Sequence, residues 1–175
     1  MNTRQGGPDT GVQTAIAARA SMLVQEAHSL AEALEGLAGM LGESAALSRA
    51  SLRMVDQDEL VIVAVWTRGS TALPKGTRMP IRGSAFPDVL RESGPVVHEG
   101  PNEQPSLLDQ ILIDEGNRSW VLIPLHEHGA TVGVLAFTSR VSRAFHREDA
   151  PVYAAVGRAI EEPLLDLVKS GRFER

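Results

Sequence analysis

Between Ser119 and Arg140 the chain reads SWVLIPLHEHGATVGVLAFTSR, two apolar runs joined at a glycine. Trp120–Leu125 and Thr131–Thr138 are predicted strands, and Gly129 at the tip makes them a β-hairpin. Phe145 and a helical run starting near Asp149 follow closely. An antiparallel pair of this kind must be completed by other strands and covered by helices. The upstream residues offer both.

From Thr14, Ile16, Ala20, Leu23, Ala27, Leu30, Leu34, Leu37 and Leu41 recur at mostly heptad-type steps, which predicts one amphipathic helix. Gly36, Gly39 and Gly42 weaken its last turns, so it is expected to end by Gly42. Ala46–Val55 and Leu60–Thr67 form a first hairpin across the polar Asp56–Glu59 turn, the second strand being nearly all apolar and expected to be central. Thr77–Arg82 is a short strand, and Ser84 is the expected cap of a helix ending near Glu92. Pro95–Glu99 forms a further strand, and Ser106–Glu115 has helical spacing of Leu107, Leu108, Ile111 and Leu112. Pro163 is expected to kink or break the last helix. The organisation expected is a disordered lead-in over 1–13, an N-terminal helix over 14–42, and a domain over 43–172. The fold class is α+β, a central antiparallel sheet sandwiched by helices.

Ser119, Pro124-Leu125, Gly129, Gly133-Val134-Leu135, Phe145 and Asp149 fall where the C-terminal half of a GAF domain has its strand, turn, strand and helix start. Leu73–Ile81 and Ser93–Val97 are similar to the middle of such a domain. The chain thus resembles the GAF family of small-ligand sensor modules over about residues 45–165. The resemblance implies a GAF/PAS-like sheet, with N- and C-terminal helices on one face and short helices and loops on the other. It also implies a pocket between the sheet and the segments crossing its outer face, near Arg78–Glu115.

Within that pocket the resemblance places Trp66, Arg82, Ser84, Phe86, His98 and Trp120. The alternative for the aromatic members is that they fill the core. A cavity lined by Arg82 and His98 would favour ligand binding, and collapse of Phe86 and Trp66 into it would favour a scaffold. Family members commonly pair their terminal helices with those of a second copy, so a homodimer through Ile16, Leu23, Leu30, Leu34, Leu37, Val156 and Ile160 is expected. The competing reading is that both helices cover their own sheet.

The sequence also excludes particular chemistries. It contains no cysteine, which removes disulfides, thiolate metal sites and cysteine nucleophiles. Within the resemblance, that removes thioether attachment of a bilin and the cysteine-based reduction of free methionine sulfoxide. Haem-binding relatives take an axial histidine from the segment before the Ser119 strand, and Leu107–Arg118 has none. The cofactor is left unknown. The cyclic-nucleotide signature Asn-Lys-x-x-x-Phe-x-x-x-Asp-Glu keeps only Phe145 and Asp149. His126 and His128 share a strand side but fall short of a tetrahedral site, so no metal is expected. There is no nucleophile elbow, phosphate loop or convergent acid pair, and no catalytic residue is assigned.

A net charge of −5 without a basic stripe argues against nucleic acid, and no apolar run is long enough to span a bilayer. Without a signal-peptide pattern the expected compartment is cytoplasmic. The expected function is a regulatory sensor for an unidentified small molecule, reporting through its terminal helices to a possible effector protein. A ligand-free dimerisation module is the alternative, and an enzyme ranks last.

Overall fold

The computed structural model describes residues 9–101 and 103–171. Helix α1 runs Thr10–Glu26, capped by Asp9, whose side chain accepts from the Gly11 amide. Most of the expected lead-in, residues 1–8, lies outside the described residues, but Thr10 is already helical. The single helix expected over 14–42 is instead two. The Ser29 hydroxyl accepts from the Glu32 amide at 3.1 Å, and the Glu32 carboxylate accepts from the His28 amide at 2.9 Å. This reciprocal cap ends one helix and starts α2, Leu30–Ala45. The Ser-x-x-Glu signal stands in plain sight in the sequence, overridden in the prediction by an apolar spacing that happens to run through it.

Six antiparallel strands follow: β1 Leu47–Asp56, β2 Glu59–Thr67, β3 Arg78–Pro80, β4 Val96–His98, β5 Ser119–Glu127 and β6 Ala130–Ser139, in the spatial order β3-β2-β1-β6-β5-β4. The β5–β6 hairpin turns through His128 and Gly129, both with positive φ (51° and 79°), which is the two-residue turn whose twist matches the strands. The centre belongs to β1 and β6. β2, expected there, has only three-residue β3 outside it and stays half-buried along much of its length.

One irregularity decides which residues share a face. Leu52 pairs with Ala64 and Arg53 with Ile62, so Val63 is an extra residue in β2. Past this bulge the alternation of β2 is reversed. Leu60 and Ile62 face one side, whereas Ala64 and Trp66 face the other.

Helices α2 and α5, Ala150–Gly171, cover one face of the sheet, and α1 packs on α5. Ala50, Leu52, Val121, Ile123, Leu135 and Phe137 meet Leu34, Leu37, Val156 and Ile160 there. α5 is continuous through Pro163, which is a correction: the buried Ile160, Leu164 and Leu165 around it hold the helix on the core despite the missing hydrogen bond. Gly157 brings α5 close to β5, since a Cβ there would stand 2.8 Å from Ile123 Cγ2.

This packing also encloses part of the expected dimer seam. Leu34, Leu37 and Ile160 are fully buried and Val156 nearly so, all within the single chain. They cover their own sheet and have no surface to offer a second copy. Ile16 and Leu30 are partly buried against the same core, and Leu23 is half-buried. On α1 the exposed apolar side chains are Val12 and Met22.

Candidate functional site

The opposite face of the sheet lies under α3, Phe86–Glu92, and α4, Leu107–Asp114. Phe86 and Val89 pack on Leu60, Trp120, Leu122 and Ala136. Leu108 and Leu112 pack with Ile62, Leu73 and Met79. Each short helix is fixed locally. Ser106 caps α4 by accepting from the Asp109 amide, and the Ser84 hydroxyl accepts from the Phe86 amide while donating to the Ile81 carbonyl.

Between these layers the strand register assembles a polar row. Arg49 pairs with Thr138, which pairs with Trp120, which pairs with His98. One step along, Ser51 pairs with Ala136 and then Leu122, and the next step pairs Arg53 with Val134 and Pro124. Arg49, Ser51 and Arg53 thus project from one face of a central strand, successive members about 7 Å apart. All three are buried: Arg49 is 1% exposed, Ser51 0% and Arg53 2%.

Their hydrogen-bonding capacity is largely unused. Arg49 donates one bond, from Nη2 to the Leu73 carbonyl at 2.8 Å. Its Nε and Nη1, Arg53 Nε and Nη2, Ser51 Oγ, His98 Nε2 and Trp120 Nε1 have no partner among the described residues. Buried polar groups are nearly always paired, so seven orphaned atoms on one sheet face make this row the candidate site. Burial lowers Arg49 to about 10 and Arg53 to about 9, the latter helped by repulsion from Arg49. Both remain cations at neutral pH.

Asp109, 3% exposed on α4, lies near enough to favour the charged forms of both Arg53 and His98. The His98 pKa is nevertheless lowered, chiefly by burial. Its ring stacks on Trp120 with centroids 5.0 Å apart. His98 also lines a surface groove of about 360 Å³ with Asp88, Glu92, Val96 and Arg147, and is the one member of the row to do so.

The six residues expected in the pocket separate into those that reach this row and those that do not. His98 and Trp120 are in it. Phe86 roofs it, packed on Trp120 and Leu122. Ser84 is buried but spends its hydroxyl on fastening the turn before α3. Arg82 is exposed on the 3-10 turn Ile81–Gly83. Trp66 lies on the helix-covered face, with the Arg68 guanidinium 5.7 Å from its ring, because the bulge turned it there. Arg49, Ser51, Arg53 and Asp109 were missed. Their signal was the Arg-x-Ser-x-Arg alternation within Ala46–Val55, which looks like a solvated strand face until β1 proves central.

His126 and His128 do not act together. His126 Nδ1 lies 2.7 Å from Glu161 Oε1, whereas His128 occupies the exposed turn. No cluster of potential metal ligands occurs among the described residues, and no described helix is long and apolar enough to cross a membrane.

A family model described as GAF domain matches residues 29–162. The chain belongs to the GAF family. The match starts at Ser29, the residue that caps α2, so α1 lies outside the family segment. Comparison with curated protein sequences finds no match. Among solved structures, the fold is similar to the GAF domain of a phosphoenolpyruvate-protein phosphotransferase from Coxiella burnetii, with TM-score 0.71 and 18% identity over 94% of this chain and 100% of that one. It is similar also to free methionine-R-sulfoxide reductase from Neisseria meningitidis, solved with its substrate, with TM-score 0.69 and 20% identity over 91% and 92%. The GAF domain of a two-component sensor histidine kinase from Bacillus halodurans matches with TM-score 0.66 and 18% identity over 83% and 99%. At these identities the likeness concerns the fold. GAF folds accordingly include both sensory domains and enzymes.

Proposed function

We propose that this chain is a regulatory GAF domain that holds a small molecule between its sheet and the α3–α4 layer, against Arg49, Ser51, Arg53, His98 and Trp120. The observation that carries this reading is the row of buried, unpartnered polar atoms on that face. The groove at His98 supplies a route inward, and Asp109 holds charge on the opposite wall.

Occupancy has a direct path to the terminal helices. Trp120 is the second residue of β5, and three residues on, Ile123 meets α5 at the close approach that Gly157 permits. A ligand that shifts β5 shifts α5 with it, which is the differential contact a population shift requires. Among GAF-fold proteins the enzymatic branch seen in the comparison is a sulfoxide reductase. With no cysteine in this sequence, the thiol chemistry that the family resemblance ascribes to that branch has no nucleophile here. That favours regulation over catalysis.

The ligand-free scaffold keeps one supporting observation, the packing of Phe86 on Trp120 and Leu122. A homodimer would use the outward side of α1, around Val12 and Met22, in place of the enclosed heptad positions.

Native mass spectrometry of protein purified gently from its own host, beside a denatured sample, tests the reading. A small-molecule mass that is present in the native spectrum and absent after denaturation is the expected result. A bare spectrum from a protein whose Arg53→Met variant is destabilised would replace it with the scaffold. The same spectrum reports dimer or monomer.

A further inference from the structure

We infer that the molecule this pocket holds is a small organic carboxylate, its oxygens accepting from Arg49 and Arg53 and its apolar body lying against Trp120 and Leu122. The inference rests on the sensor reading above and narrows it to a ligand class.

Donors dominate the unused atoms. Arg49 Nε and Nη1, Arg53 Nε and Nη2, and Trp120 Nε1 are donors only, whereas Ser51 Oγ and His98 Nε2 can serve either way. An occupant must therefore bring acceptors. A neutral apolar molecule would leave five N–H-bearing atoms buried and unmatched, each at a desolvation cost.

Charge points the same way. Two buried guanidiniums face one buried carboxylate, Asp109, which acts on Arg53. Glu115 also acts on Arg49, but its oxygens are engaged by the Thr71 hydroxyl and the Ala72 amide. Neither carboxylate bonds to the orphaned guanidinium atoms. A buried charge without a partner in contact is unfavourable, so an anionic ligand is favoured there. A planar carboxylate also matches the guanidinium fork in shape.

The remaining surface describes the body of the molecule. Along the strands next to the arginine row lie Leu122, Val134 and Ala136, and the His98–Trp120 stack presents flat aromatic surface. This composition accepts an aliphatic or aromatic group a few atoms across.

The test is calorimetric titration of the purified, dialysed protein with benzoate, benzamide and inorganic phosphate at constant ionic strength. Benzoate is expected to bind about tenfold or more tightly than benzamide, the factor for losing a charged hydrogen-bond set. Arg53→Met is expected to remove that preference. If Arg53→Met fails to fold, Arg53→Lys reads the same question, because it keeps the charge but loses the fork, and benzoate affinity should still drop. Benzamide binding as tightly as benzoate in both proteins would overturn the carboxylate assignment and leave the pocket standing. Phosphate binding more tightly than benzoate would overturn the carboxylate assignment in favour of a phosphoryl ligand. Binding of none of the three, together with a bare native mass spectrum, would remove the pocket itself.

Discussion

Leu52 and Arg53 are adjacent in β1, equally enclosed, and belong to two different kinds of protein interior. Leu52 faces α2 and α5 among Ala50, Phe137 and Leu135, where every contact is apolar and complete. Arg53 faces α4 among groups whose hydrogen bonds are unmade. The first side of the sheet is finished by the chain itself. The second leaves donors and acceptors without partners among the described residues. Burial alone does not distinguish a structural layer from a binding layer, whereas unmet hydrogen bonds and unbalanced charge do.

The sharpest way to break this contrast is to mutate the two neighbours. Leu52→Ala should cost about 3 kcal/mol, the typical loss for a fully enclosed leucine, read by denaturant unfolding. Arg53→Met should cost less, within about 2 kcal/mol of neutral, because an apolar side chain replaces a guanidinium whose Nε and Nη2 make no hydrogen bond, while Asp109 loses the cation beside it. A loss at Arg53 equal to that at Leu52 would mean that its guanidinium is already satisfied, and the two faces would then be alike. Next in size is Gly157→Ala, expected to cost about 1–3 kcal/mol by overpacking α5 against Ile123. Should β5 and α5 be the coupled path, the same variant should also weaken ligand binding on the far face.

The smallest effect is pH dependence at His98. Burial lowers its pKa from the ordinary 6.5, so between the folded and unfolded values the unfolded chain binds more protons. Its contribution to stability is therefore complete above pH 6.5 and is lost as pH falls from there through the lower folded value. Asp109 opposes this shift and Arg147 reinforces it. His98→Gln should flatten the stability profile between pH 7 and 5, and a slope unchanged from the wild type would assign it to other groups.

How much of this could be seen in the residue string differs between the two faces. The apolar face was readable because its rules are local: the Thr131–Thr138 strand, the Gly129 turn and the spacing of Val156 and Ile160 each carry their own pattern. The face under α3 and α4 was not. Arg49, Ser51 and Arg53 alternate as any solvated strand would, and only the pairing of β1 with both β2 and β6 encloses them. Trp66 failed for the related reason that a bulge, which no single residue announces, changed its side. Arg82 failed because a family likeness placed it while the 3-10 turn directed it to solvent.

The Val63 bulge carries a consequence for which changes of length this strand can absorb. With it, β2 presents Val65 toward the α4 side and Trp66 toward α2. Deleting Val63 would restore strict alternation and leave both where they are, because Ile62 would still pair with Arg53 and Ala64 with Leu52. The bulge is thus a place where this strand can lose a residue without turning one side chain over, whereas the same loss elsewhere in β2 would carry every residue beyond it to the other face.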